Sequence, residues 1–122
     1  MAKILIVDDN RDLADVLVLL LSEHGHDVKA TYDGVAALTE AETFVPDAIL
    51  LDISLPTMSG IEIARRVRRG IGRNMRLIAH TALPRDDLRD QQMRRVGFDC
   101  VLTKPAALHN IIEALGSPRG HR

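Results

Sequence analysis

Aromatic residues are almost absent from this chain of 122 residues, which has no tryptophan and only Tyr32, Phe44 and Phe98. With so few rings, it offers almost no platform on which the bases of single-stranded nucleic acid could stack. Its formal net charge of -1 is also unlike that of a typical nucleic-acid-binding domain. We therefore expect an aliphatic core and no direct binding to nucleic acid.

Cysteine and long apolar runs are also scarce. Cys100 is the single cysteine, so no internal disulfide can form. Its apolar neighbours predict a buried and inert thiol. The apolar run at residues 4–7 is too short for a signal peptide or a membrane span. These features predict a cytoplasmic protein with no membrane contact, and the length is that of one typical domain.

Short apolar stretches alternate with helical patterns along the chain. Continuous apolar runs, typical of parallel strands covered on both faces, occur at residues 4–7, 48–51, 77–79 and 100–102. Residues 28–31 alternate apolar with polar, as an exposed edge strand does. Helical periodicity fills the intervals, at residues 11–23, 34–44, 59–71, 85–96 and 108–115. The order βαβαβαβαβα predicts an α/β fold with an open parallel sheet and helices on both faces.

The apolar faces of two helices are specific enough to be checked. The first helix is predicted to pack through Leu13, Val16, Leu17, Leu20 and Leu21. The helix over residues 85–96 has a thin stripe of Leu88, Met93 and Val96, so we expect it to be the least firmly anchored. Residues 1–116 are predicted to form the domain, and residues 117–122 a frayed tail or the start of a linker.

Polar residues follow the predicted strands. They are Asp8, Asp9, Asp52, His80, Thr81, Thr103 and Lys104. In an open α/β sheet the ligand site lies beyond the carboxyl ends of the strands, so these side chains should converge on one edge. Each alone has a plainer interpretation as a helix cap, a turn residue or a strand end. Their coincidence on one edge favours a functional site.

The chemistry of this set indicates phosphoryl transfer. Three gathered carboxylates repel one another, and at least one pKa should rise unless a divalent cation relieves the repulsion. Hard oxygen ligands without a Cys/His cluster favour Mg²⁺. Lys104 and Thr81 can bind phosphate oxygens, and Asp52 is the plausible nucleophile because carboxylates form aspartyl-phosphates.

A resemblance to a known family rests on four stretches of the sequence. They are ILIVDDN at residues 4–10, LDISLP at 51–56 with Gly60, Thr81-Ala82, and Gly97-Phe98-Asp99 followed by Lys104-Pro105. Over roughly residues 3–115 the chain resembles the receiver domain of bacterial two-component response regulators. The resemblance implies a flavodoxin-like (βα)5 sandwich with a five-stranded parallel sheet of order 2-1-3-4-5.

The resemblance also implies a role for each site residue. Asp52 would be the phosphoacceptor. The Mg²⁺ ligands would be Asp9 and Asp52 directly, Asp8 through water, and the backbone carbonyl of Ser54. The phosphoryl oxygens would be bound by Thr81, Lys104 and the backbone N–H of Ala82. The Lys104-Pro105 bond would be cis.

The phosphoryl donor would be a phosphohistidine on a sensor histidine kinase or a histidine phosphotransfer protein. The protein would catalyse only its own phosphorylation and dephosphorylation, and would be a monomer or a phosphorylation-dependent dimer. Phosphorylation would shift the population of a surface formed by the helix over residues 85–96, the strand over 100–103 and the last helix. The sequence leaves open whether the protein is free-standing or part of a hybrid sensor kinase.

Two positions depart from the family pattern. Val101 stands three residues before Lys104, where such proteins often have an aromatic switch residue, so that form of signal transmission is missing. Leu83 cannot hold an attacking water by a hydrogen bond, so any aid to hydrolysis must come from elsewhere.

Two other functions fit parts of the same pattern. An Mg²⁺-dependent phosphatase with an aspartate nucleophile usually has a second Asp two residues later, where this chain has Ser54. A receiver-like module that is never phosphorylated is disfavoured by the complete set of Asp9, Asp52, Thr81 and Lys104.

Arginines form a further cluster, consisting of Arg65, Arg66, Arg68, Arg69, Arg73 and Arg76. A solvated face is the plainer interpretation, and docking of an acidic partner or nucleic acid is the alternative.

Overall fold

The computed structural model describes residues 2–70, 74–84 and 86–116. Five strands alternate with five helices: β1 Lys3–Val7, α1 Arg11–Glu23, β2 Asp27–Thr31, α2 Gly34–Phe44, β3 Ala48–Leu51, α3 Gly60–Arg69, β4 Arg76–Thr81, α4 Asp87–Val96, β5 Cys100–Thr103 and α5 Leu108–Leu115. All strand pairs are parallel, and their order is β2-β1-β3-β4-β5. The predicted α/β sandwich and strand order are confirmed.

The sheet separates two aliphatic cores. Alternate residues of the central strands pack on one side against α2, α3 and α4 and on the other against α1 and α5. β1 and β3 are buried almost completely, as their continuous apolar runs predict. The carboxyl ends of the strands therefore meet at one edge, which we call the site edge.

The apolar face of α1 was only partly predicted. Ala14, Leu17 and Leu21 are its buried residues, whereas Val16 is 51% exposed. The expectation that Val16 packs into the core is therefore wrong. Every residue from 16 to 21 is apolar, so periodicity alone cannot select the buried face. The small side chain of Ala14 marks the line along which the helix approaches the sheet.

The helix α4 has one buried side chain, Met93. Leu88, which the sequence placed on the same stripe, is 64% exposed, so that assignment is wrong. Asp86 caps the helix by accepting hydrogen bonds from the N–H groups of Leu88 and Arg89. The predicted start at residue 85 lies outside the described residues.

Other boundaries differ by a few positions. Ser59 is the cap of α3 rather than its first residue, and the predicted end of that helix at residue 71 lies outside the described residues, as does the tail at 117–122. β4 continues through His80 and Thr81, because backbone pairing does not require apolar side chains. Cys100 is only partly buried. No helix within the described residues is long and apolar enough to cross a bilayer.

Candidate functional site

Three carboxylates meet at the site edge because adjacent strands end there. Asp8 and Asp9 directly follow β1, and Asp52 directly follows β3, which pairs with β1. The backbone N–H of Asp52 donates to the carbonyl of Val7 at 2.9 Å and so continues the ladder. One carboxylate oxygen from each aspartate lies within 4.8 Å of the others. Asp8 and Asp52 are buried, whereas Asp9 is exposed.

Local backbone bonds orient the two buried carboxylates. The N–H of Asn10 donates to Asp8 Oδ1 at 2.9 Å, and the N–H of Ser54 donates to Asp52 Oδ1 at 3.0 Å. Gly60 allows the loop after Asp52 to fold tightly onto the start of α3, since a Cβ there would lie 2.6 Å from the carbonyl oxygen of Asp52. The second oxygen of each carboxylate is left to face Lys104.

Lys104 supplies the positive charge of the site. Its Nζ lies 2.7 Å from Asp8 Oδ2 and 3.4 Å from Asp52 Oδ2. Its backbone N–H donates to the carbonyl of Thr81 at 2.8 Å, which ties the end of β5 to the end of β4. The Lys104-Pro105 peptide bond is cis, as the resemblance implied.

The ionisation of the site is set chiefly by burial. Burial raises the pKa of Asp52, against the opposing effects of the Ser54 N–H and of Lys104, and repulsion by Asp8 contributes less. The predicted rise of a carboxylate pKa is therefore confirmed in direction, with burial rather than repulsion as its main cause. Burial opposes the charge of Lys104, but the hydrogen bond and attraction of Asp8, together with Asp52, raise the pKa of its amine overall.

Thr81 lies buried at the end of β4, next to β3 in the sheet. Its Oγ1 accepts a hydrogen bond from the N–H of Leu83 at 3.1 Å, which leaves its own O–H able to donate. Ala82 and Ser54 are exposed on the neighbouring loops. The structure thus brings Asp8, Asp9, Asp52 and Lys104 together, and a backbone hydrogen bond links Thr81 to Lys104.

His80 is buried, with 3% of its surface exposed. Burial, and then the charge of Lys104, lower its pKa to about 4, so the ring is neutral at neutral pH. Its Nε2 has no hydrogen-bond partner in the part of the chain that the structure describes.

The Gly97-Phe98-Asp99 stretch has a structural role that the sequence did not reveal, because Arg68 binds to it. Arg68 of α3 donates to the carbonyl of Gly97 from Nε at 3.1 Å and Nη2 at 2.6 Å. Its Nη2 also lies 3.0 Å from Asp99 Oδ2. We call this group the Arg68–Asp99 latch. It joins the ends of α3 and α4 near the amino ends of the strands, whereas Asp52 lies at their carboxyl ends. The spacing of 31 residues between the partners gives no local sequence signal.

The remaining predicted arginines do not act as one cluster. Arg66 pairs with Glu62 at 2.9 Å on the same helix, and Arg76 donates to the carbonyl of Ala114. Arg73 lies outside the described residues. Arg65 and Arg69 instead line a groove with Arg95, a residue that the sequence analysis did not include.

Comparisons with known proteins agree with this geometry. The response regulator receiver domain family matches residues 4–116. Response regulator MprA of Mycobacterium tuberculosis is 36% identical over 115 residues, which cover 90% of this chain and 47% of MprA. The chain thus spans about half the length of the curated relatives it matches.

Solved structures are similar over nearly the whole chain. Chemotaxis protein CheY4 of Vibrio cholerae superposes with a TM-score of 0.87 and 28% identity, covering 94% of this chain and 96% of CheY4. Response regulator TrrA of Thermotoga maritima, solved with Mg²⁺ and beryllium fluoride, gives a TM-score of 0.80 and 26% identity, covering 93% of this chain and 95% of TrrA.

Proposed function

Since the chain belongs to the response regulator receiver domain family and so has its part in two-component signalling, we propose that Asp52 is the residue that accepts the phosphoryl group. The observation that carries this proposal is the buried carboxylate of Asp52, 3.4 Å from Lys104 Nζ and grouped with Asp8 and Asp9 at the end of β3. Such a carboxylate is positioned and electrostatically compensated as a phosphoryl acceptor requires.

In the proposed reaction, an Asp52 carboxylate oxygen attacks the phosphorus of a phosphohistidine. The new O–P bond forms as the N–P bond of the donor breaks, and the departing imidazole takes up a proton. The donor is a sensor histidine kinase or a histidine phosphotransfer protein. Lys104, already between Asp8 and Asp52, is placed to hold an oxygen of the transferred group.

The donor set at the site edge fits Mg²⁺. Three carboxylates offer hard oxygen atoms within 4.8 Å of one another, and Lys104 balances only part of their charge. Asp9 and Asp52 would hold the ion directly, Asp8 through water, and Ser54 through its backbone carbonyl. When bound, the ion would offset negative charge on the transferring phosphoryl group.

Thr81 and Ala82 complete the proposed phosphoryl site. The hydroxyl oxygen of Thr81 accepts a hydrogen bond from the Leu83 N–H. The O–H of Thr81 remains able to donate to a phosphoryl oxygen. The backbone N–H of Ala82 follows on an exposed loop. Leu83, 36% exposed, offers no polar side-chain atom to the site, so any aid to hydrolysis of the phosphoryl group comes from another residue or from a partner.

We propose that the response to phosphorylation runs through the ends of β4 and β5. The phosphoryl group carries about two negative charges where the Asp52 carboxylate carried one, and its oxygens draw Thr81 and Lys104 inward. Thr81 is bonded through its carbonyl to the Lys104 N–H, so the two move together. Val101, buried in the same core as Met93 and Phe98, provides no aromatic ring to swing inward, and the shift reaches α4 and α5 through the backbone.

Further parts of the proposal concern the whole protein. Residues 1–116 form the receiver domain, and the protein acts in the cytoplasm as a monomer or a phosphorylation-dependent dimer. Its catalysis is limited to its own phosphorylation and dephosphorylation.

The test is the intact mass of the protein after incubation with Mg²⁺ and acetyl phosphate. Wild type is expected to gain one phosphoryl group that alkaline treatment removes, and Asp52→Ala none. Asp12→Ala, an exposed change on α1, is the matched control and should behave as wild type. A gain that persists in Asp52→Ala would show that another residue is the acceptor. Steady turnover of a phosphate ester would instead indicate a phosphatase.

A further inference from the structure

A cationic groove lies between the last turns of α3 and α4. Its lining residues are Arg65, Arg68, Arg69, Arg95 and Val96, and its volume is about 450 Å³. Both helices run from the site edge toward the opposite edge of the sheet, so the groove is far from Asp52. We refer to it as the arginine groove.

The latch gives the arginine groove a fixed shape. Arg68 lines the groove and donates two hydrogen bonds to the carbonyl of Gly97, the residue that follows α4. Because this contact joins the two helix ends, Arg69 on α3 and Arg95 on α4 are held across from each other. Neither Arg69 nor Arg95 makes an ion pair within the described residues, and Arg65 is 3.8 Å from Glu62.

Helix dipoles account for only part of this charge. Arginines in the last turn stabilise a helix by facing its negative end, and each end is equivalent to about half a negative charge. Arg68 pairs with Asp99 and Arg65 with Glu62, so the charges of the groove that no carboxylate within the described residues balances are those of Arg69 and Arg95. The two helix ends offset about one of these two positive charges.

We propose that the arginine groove docks a short acidic segment, rich in Asp and Glu, of a partner protein. Guanidinium groups held at fixed separation suit carboxylates, which they bind in a bidentate way. A nucleic acid fits less well. Binding to a duplex depends on many cationic contacts to phosphates, and the chain as a whole has no excess of positive charge, with 16 Lys and Arg residues against 17 Asp and Glu residues.

This inference is independent of the proposed phosphorylation, because the groove and Asp52 lie at opposite edges of the sheet. The test titrates isotope-labelled protein with a hexaglutamate peptide and follows the backbone amide signals by NMR. Saturable shifts are expected at the ends of α3 and α4. Raising the salt from about 50 to about 300 mM should weaken them, since exposed charges are screened.

Two variants on α4 and α3 make the test specific. Arg69→Ala combined with Arg95→Ala should weaken peptide binding about three- to tenfold, as expected for two exposed ion pairs. Arg94→Ala removes one positive charge from the residue next to Arg95, which is exposed but does not line the groove, and should bind as wild type. The amide signals of the double variant outside the groove should be unchanged, which shows that the domain is folded.

Three results would overturn the inference. The first is an absence of saturable shifts in wild type. The second is an equal loss of binding in Arg94→Ala, since it would show a nonspecific charge effect. The third is tighter binding of a short DNA duplex through the same residues, which would assign the groove to nucleic acid.

Discussion

The Arg68–Asp99 latch allows a quantitative test of what holds the edge of the sheet opposite Asp52. Arg68 donates to the Gly97 carbonyl and to Asp99, and from Nη1 to the carbonyl of Met75 at 2.5 Å. Asp99 Oδ2 also accepts from the Leu77 N–H at 2.9 Å. Replacing Arg68 by Met keeps an unbranched side chain of similar reach and removes the charge and these donors.

The size of the loss follows from the burial of the pair. Breaking a fully buried ion pair costs about 3 to 5 kcal/mol, and an exposed pair is worth about 1 kcal/mol or less. The side chains of Arg68 and Asp99 are 13% and 15% exposed, and the Leu77 N–H still serves the carboxylate. We therefore expect Arg68→Met to lower the free energy of unfolding by about 2 to 3 kcal/mol. Asp99→Asn retains a neutral acceptor and should cost about 1 kcal/mol.

Urea unfolding followed by far-UV circular dichroism suits this chain, which has no tryptophan. The double variant should show a coupling energy of about 1 kcal/mol or more. Arg94→Met, an exposed change near the end of α4, should stay within about 0.5 kcal/mol of wild type. Additive losses in the double variant, or a loss under about 1 kcal/mol in Arg68→Met, would refute the assigned role of the latch.

Two further predictions concern the site edge. The pKa of His80 is about 4 in the folded protein and 6.5 in the unfolded chain. As the pH falls from 6.5 to 4, the unfolded chain takes up a proton at His80 that the folded protein does not, so the free energy of unfolding should fall by about 3 kcal/mol. His80→Gln should flatten that part of the pH profile of urea stability, and an unchanged slope would contradict the assignment. Mg²⁺ at about five times its Kd should raise the free energy of unfolding by about 1 kcal/mol. Asp9→Asn should abolish this gain and Asp12→Asn should retain it in thermal melts, whereas equal gains would place the ion elsewhere.

The sequence predicted the sheet and the site edge because both depend on strong, short-range signals. Continuous apolar runs identify buried parallel strands, and each site residue follows such a run. Asp8, Asp52 and Lys104 come together because the parallel topology brings strand ends to one edge. The contacts among these three residues follow from the order of the strands.

The errors lie where the decisive partner is distant in the sequence. The sequence around Val16 does not show that Ala14 faces the sheet in place of a larger residue. The sequence around Leu88 does not show that α4 contacts the core mainly through Met93. The latch joins residues on different helices and loops, and Arg95 enters the groove only through the packing of α3 against α4. The neutral state of His80 depends on burial, which a residue at a predicted strand end does not reveal.

The backbone bond between Thr81 and Lys104 has a consequence for how this protein can diverge. Side-chain replacement cannot delete a hydrogen bond between a carbonyl and an N–H, except by introducing proline at the donor. The link between β4 and β5 at 2.8 Å is therefore insulated from most point mutations. In the proposed response, this bond couples the phosphoryl site to β5 whatever side chain occupies position 101.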